Sequence, residues 1–224
     1  MYTVSSRIPL DRSRVLAAAV AFADRQGLEP LSMRALAAEL DVVPMALYKH
    51  VTDKDDLVGG MIDLVVAGYA SPRPGLGWRG SVRERIAAAR VAVSRHPWLR
   101  AAVGTRSAPT PTVLAYQNAL AGDLIDDGFS VDLAHHALHA LGDRIWGFSP
   151  EAFTGASSSA PPSAEEVAVL AQHFPHVVAI AQDAGIRSGL GACDDDAEFD
   201  FTLDLLLDAF ARLHAAGWES ARLR

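Results

Sequence analysis

Apolar residues recur along this chain three and four positions apart, the spacing that gathers side chains on one face of an α-helix. Val15, Ala18, Ala19, Phe22 and Ala23 make one such stripe, closed by Gly27, a residue suited to a helix C-terminal stop. Ser32 is placed to cap a helix beginning at Met33, which carries Leu36, Ala37 and Leu40 before Asp41, Val42, Val43 and Pro44 interrupt it. A second short segment turns Leu47 inward and leaves Met45, Tyr48, Lys49 and His50 over. Asp53 can cap the next helix, through Leu57, Met61, Leu64 and Val65 toward Tyr69.

Residues 71–77, rich in proline and glycine, then divide the chain into a 1–71 region and a 72–224 region. Beyond them, Trp78 to about Ser94 reads as a helix, and Pro97 starts a short one. Thr110 and Pro111 open another that ends at Asp127 and Gly128. Ser130 caps a long apolar helix from Val131 to about Phe148. Residues 149–162, with three consecutive serines, read as a flexible loop. Ser163 and Glu166 have capping-box spacing. Three aspartates, 194 to 196, precede Phe199, Leu203, Leu206, Leu207, Phe210 and Leu213; acids suit the positive end of a helix. No strand alternation is visible, so the expected fold is all-α.

The two segments around Asp41 to Pro44 are expected to be about eight residues each, too short to be stable alone. The long helix from Arg12 to Gln26 can support them. Ala37 is small where a second helix would cross closely, and Leu47 can plug the crossing. Asp41 falls where the chain turns with φ > 0, and Pro44 pre-sets φ for the next helix. These are the requirements of a helix-turn-helix, whose second helix enters the DNA major groove.

Charge supports that reading locally. The chain has 224 residues, half of them apolar, and a formal net charge of −7. Residues 1–55 nevertheless balance seven basic against seven acidic side chains, so the whole excess lies beyond them. Both lysines of the chain, Lys49 and Lys54, lie close after the turn. The single cysteine, Cys193, allows no intrachain disulfide and fits a reducing compartment. No apolar run approaches the roughly 18 residues of a membrane span. Residues 1–10 lack a signal-peptide core, so a cytoplasmic location is expected.

The stretch LSMRALAAELDVVPMALYKHVTDKDDLVGGM resembles the DNA-binding domain of the TetR family of repressors. Ser32, Arg34, Leu36, Ala37, Leu47, Tyr48, His50, Val51, Lys54 and Leu57 match its pattern. Asp41, where glycine is usual, and the apolar pair Met45 and Ala46 depart from it. Gly104-Thr105-Arg106, the run from Asp127 to Ser130, and Trp78 after a Pro/Gly linker are similar to the tetracycline-repressor branch. The resemblance implies a DNA-binding region at 1–71 and an effector-binding and dimerisation region at 72–224. Its DNA-contacting set would be Ser32, Arg34, Pro44, Met45, Ala46, Tyr48, Lys49, His50 and Lys54. Lys49 and Lys54 would meet phosphate, which sets affinity, whereas Met45 and Ala46 can at most touch a thymine methyl.

Two-fold pairing of recognition helices requires a dimer, expected through the helices from Val131 to Phe148 and from Asp196 to His214. Thr105, Gln117, His139, Asp143 and Trp146 are polar groups on apolar helices and are the expected lining of a small-molecule pocket. In the tetracycline-repressor branch, a histidine three residues before the Gly-Thr-Arg threonine helps grip the drug's own divalent ion. Here that position is Ala102, and Glu151 alone does not replace it, so a magnesium–tetracycline effector is not expected. No cofactor, resident metal or catalytic residue is expected. The competing reading is a helical metal-dependent hydrolase or metal sensor using His135 and His139, four residues apart, with Asp132 or Asp143. Against an enzyme stand the absence of a G-x-S-x-G or H-E-x-x-H motif and the acidic surroundings of Cys193.

Overall fold

The computed structural model describes residues 9–146, 163–188 and 194–220. All regular structure among them is helical: α1 (Arg12–Gln26), α2 (Met33–Glu39), α3 (Pro44–Leu47), α4 (Lys54–Ala67), α5 (Gly77–Arg95), α6 (Trp98–Gly104), α7 (Pro111–Ile125), α8 (Val131–Trp146), α9 (Ala164–His173), α10 (Pro175–Ser188) and α11 (Asp195–Ala215). The helices fall into two compact units, Met1–Ile145 with Gly217–Arg224, and Trp146–Ala216.

In the first unit α4 is the shared wall. It packs against α1 on one side and against α5, α6 and α7 on the other. Its apolar residues Leu57, Met61 and Ile62 are fully buried, as are Val15 and Ala19 of α1, Leu36 of α2 and Leu47 of α3. Two consecutive glycines permit this double packing. A Cβ on Gly60 would stand 2.7 Å from a Leu16 methyl of α1, and one on Gly59 would press on the Arg106 guanidinium. Glycine in a helix interior costs about 1 kcal/mol against alanine. Here the close approach of α1 and Arg106 is what the missing side chains permit.

The expected caps form. Ser32, Asp53 and Thr110 each accept a backbone N–H at the start of their helices, and Asp11, which the sequence reading did not single out, does the same for α1. Ser130 accepts from the Leu133 N–H. Asp41 has φ +52, the left-handed conformation that the turn requires. One expectation is corrected. The helix before this turn has seven residues, close to the expected eight, but the one after it has only four. After Leu47 the chain tightens, and the His50 and Val51 N–H groups both bond to the Leu47 carbonyl.

In the second unit Ser163 and Glu166 form the capping box of α9. Asp194 caps α11 by accepting from the Asp196 and Ala197 N–H groups. α9 packs on α10, and α11 buries Phe199, Leu203, Leu207 and Phe210 along one stripe. The break between α9 and α10 at Phe174 and Pro175 was not anticipated from the sequence. Pro175 occupies the first residue of the new helix, a position that needs no N–H donor.

Candidate nucleic-acid interface

The turn and α3 display an unusual surface. Val43 is 68% exposed, Met45 71% and Tyr48 46%. Arg34, Pro44, Lys49 and Lys54 are exposed as well, whereas Ala46 and His50 are half-buried. Among the described residues Arg34, Lys49 and Lys54 enter no ion pair, so their charges are available to an external anion. Ser32 is exposed, and its hydroxyl oxygen accepts the Ala35 N–H at 3.1 Å, so its first role is to cap α2.

Behind this surface the basic side chains are engaged. Arg25 of α1 pairs with Glu39 of α2 at 2.6 Å. Arg12 grips the Asp56 carboxylate of α4 with both terminal nitrogens, at 3.0 and 2.6 Å, and donates a third bond to the His50 carbonyl at 2.7 Å. Asp56 also accepts the Thr52 N–H at 2.8 Å. One arginine therefore ties the start of α1, the start of α4 and the segment following α3 into one frame. Its guanidinium, with the Thr52 bonds, holds the Asp56 carboxyl down at about 2. A four-residue helix is thereby fixed in direction.

A second arginine reaches the same helix from the far region. Arg106, just after α6, donates to the Asp55 carbonyl at 3.1 Å and to both Asp55 carboxylate oxygens at 3.0 and 3.2 Å. Its guanidinium lies over Gly59. Asp55 and Asp56 are neighbours, so the grips of Arg106 and Arg12 meet on the first turn of α4.

Three of the expected effector residues have described side chains. Thr105 is exposed, and its hydroxyl donates to the Ala101 and Ala102 carbonyls at 3.0 and 3.2 Å. Gln117 and His139 are exposed, and the side chains of Asp143 and Trp146 lie outside the described residues, as does Glu151. Two open depressions lie elsewhere on the described surface, neither lined by Thr105, Gln117 or His139. One, about 530 Å³, lies over the turn and is lined by Ala37, Asp41, Val43 and Ala46 among others. The other, about 400 Å³, runs between α1, α4 and α5 past Val20, Leu64, Tyr69, Val91 and Arg95.

Sequence reasoning missed a polar cluster between α4, α5 and α7. Arg85 pairs with Asp123, and the Tyr116 hydroxyl donates to the Arg85 carbonyl at 3.2 Å. The Tyr69 ring meets Tyr116 edge-on at 5.3 Å between centroids. Burial pushes the Tyr69 hydroxyl up to about 12, and that hydroxyl has no partner among the described residues. The available signal was helical spacing. Arg85 lies three residues after Val82 and one before Ile86, and Asp123 lies between Leu120 and Leu124, so both sit beside core positions.

A family model for bacterial regulatory proteins of the tetR family matches residues 15–61, from α1 into α4. An HTH-type transcriptional regulator of Saccharopolyspora erythraea is 34% identical over 121 residues, 54% of this chain and 51% of that protein. The chain thus spans about half the length of that curated relative. The class G tetracycline repressor protein of Vibrio anguillarum is 28% identical over 212 residues, 92% of this chain and 96% of that protein. A solved structure, a possible TetR family transcriptional regulator from Streptomyces coelicolor A3(2), superposes with a TM-score of 0.70. It is 27% identical and covers 91% of this chain and 100% of that one. Over its N-terminal helices the chain matches the TetR-family model, and along its length it is similar to TetR-family regulators. Within the TetR pattern, Asp41 keeps the positive φ of the glycine it replaces, so the substitution preserves the turn. Met45 departs from the family pattern at an exposed position of α3.

Proposed function

We propose that this chain is a ligand-responsive, DNA-binding transcriptional regulator acting as a repressor. In this reading it is cytoplasmic, and it binds a palindromic operator as a homodimer. The observation that carries the reading is the exposed, unpaired set of Arg34, Lys49 and Lys54 around Met45 and Tyr48, on a turn that Arg12 and Asp56 hold rigid. Lys49 and Lys54, with Tyr48 and His50, meet phosphates; Arg34 and the exposed edge of Pro44, Met45 and Ala46 face the bases. Residues 1–71 do this work. Residues 72–224 hold a small effector near Thr105, Gln117, His139, Asp143 and Trp146, and pair the protomers through α8 and α11. No described helix is long and apolar enough to cross a membrane.

Release follows from movement of α4. Effector binding between the linker-proximal helices and α8 shifts α4, which changes the separation of the two recognition segments. Operator affinity then falls by the effector's differential affinity for the two states. Operator selection from random DNA, followed by salt-dependent binding of wild type and Lys54→Ala, tests the DNA assignment. Lys54→Ala is expected to weaken binding to every sequence and to lower the salt slope by about 1. An unchanged affinity and slope would remove Lys54 from the interface. Equal operator affinity with and without a bound effector, at one salt concentration, would sink the release mechanism.

A further inference from the structure

The exposed side of α8 carries a histidine cluster outside the DNA-contacting set; one member, His139, is also placed near the effector in the proposed function. Asp132, His135, His136 and His139 occupy neighbouring positions on two successive turns, all facing away from the buried stripe of Leu133, Ala134, Ala137 and Leu141. The His135 and His139 ring centroids are 4.7 Å apart, and those of His135 and His136 are 5.4 Å apart. Two imidazoles bound to one ion through nitrogens at about 2.0–2.1 Å, with a metal angle between square and tetrahedral, hold their ring centres roughly 4.4–5.1 Å apart. The observed separation of His135 and His139 falls inside that window.

We infer that His135 and His139 form a two-imidazole chelate for a divalent transition-metal ion of the copper, nickel and zinc class, spanning one turn of α8. Among the described residues no three histidine, cysteine or acidic groups are arranged to hold one ion together. His135 and His139 are then two of the ion's ligands. Asp132 provides the local negative charge. It lies 3.6 Å from the His136 Nε2 and accepts the Ser220 N–H and hydroxyl at 2.6 and 2.9 Å. That pairing, and the Trp218 ring edge-on to His136 at 5.5 Å, lay the segment after α11 beside the cluster. His136 is thus occupied by Asp132 and Trp218, which leaves the His135 and His139 pair for the metal.

The test uses full-length, tag-free protein titrated calorimetrically with copper(II), nickel(II) and zinc(II) salts at neutral pH, alongside melting curves. Saturable binding of one ion per chain is expected, with copper tightest as the general order for nitrogen ligands dictates. His135→Ala and His139→Ala should each lower copper affinity at least tenfold and abolish the metal-induced rise in melting temperature. His136→Ala should change affinity less than threefold. These residues are exposed, so the variants are expected to fold, and circular dichroism verifies it. Unsaturable binding, or undiminished affinity in His135→Ala and His139→Ala, overturns the assignment.

Discussion

Asp56 accepts bonds from two nitrogens of Arg12 and from the backbone and hydroxyl of Thr52, and so joins three segments around the recognition turn. Its carboxyl, held at about 2, titrates well below the ordinary aspartate value of about 4. A carboxylate depressed in the folded state adds stability that is whole above the unfolded value. That stability drains away as pH falls through the folded value, here between about pH 4 and pH 2. Asp56→Asn should therefore lower stability at neutral pH by about 1 kcal/mol, a modest figure because Arg12 is half-exposed and solvent screens the pair. The gap between variant and wild type should close as pH falls from 4 to 2. Denaturant midpoints measured across that range check it, and a constant gap would assign the loss to packing instead. Neither partner announces this role in the sequence, because 44 positions separate them and no local pattern links them. Asp41 and Pro44 were legible for the opposite reason, since backbone conformation at a turn is dictated by the residue occupying it.

Among the elements, α4 is the one on which the two regions converge. Arg12 reaches its first turn from α1, and Arg106 reaches the adjacent residue from the end of α6. Gly59 and Gly60 let both neighbours close in. If effector binding moves α4, the Arg106–Asp55 bonds are the direct mechanical link from the effector region. Arg106→Ala should leave operator affinity without effector within about threefold, because Asp55 is exposed and the Arg12 clamp remains. The effector-induced loss of affinity should shrink at least tenfold, which is of the order of a whole coupling energy of 1–3 kcal/mol. Operator titrations with and without effector distinguish this from simple destabilisation, which would lower both affinities together. The helices themselves were readable from spacing and caps, because a cap residue and a stripe are local properties. The shortness of α3 was not, because its end is set by the bonds that Leu47 accepts and by the long-range grip of Arg12 on His50.

At the scale of the molecule, the buried stripe of α11 leaves Phe201 and Leu205 outward, one turn apart and 61% and 53% exposed. Val131 at the start of α8 is 72% exposed. Single exposed apolar residues need no explanation, but a phenylalanine and a leucine on one face of a 21-residue helix are a costly surface to leave in water. In the proposed function a homodimer seam would cover them, because two-fold operator recognition needs such a seam. Phe201→Glu combined with Leu205→Glu should convert the protein to monomer at micromolar concentration. Both substituted side chains lie in water in the monomer, so its fold and melting should persist. Sedimentation or light scattering reads the first effect and circular dichroism the second. Operator affinity should fall by two orders of magnitude or more, because each half-site then binds without its tethered neighbour. The free cations of the recognition surface are untouched, so binding to non-specific DNA should keep the per-monomer salt slope of the wild type. A variant that remains dimeric would place the seam elsewhere, and a monomer with full operator affinity would remove the dimer from recognition.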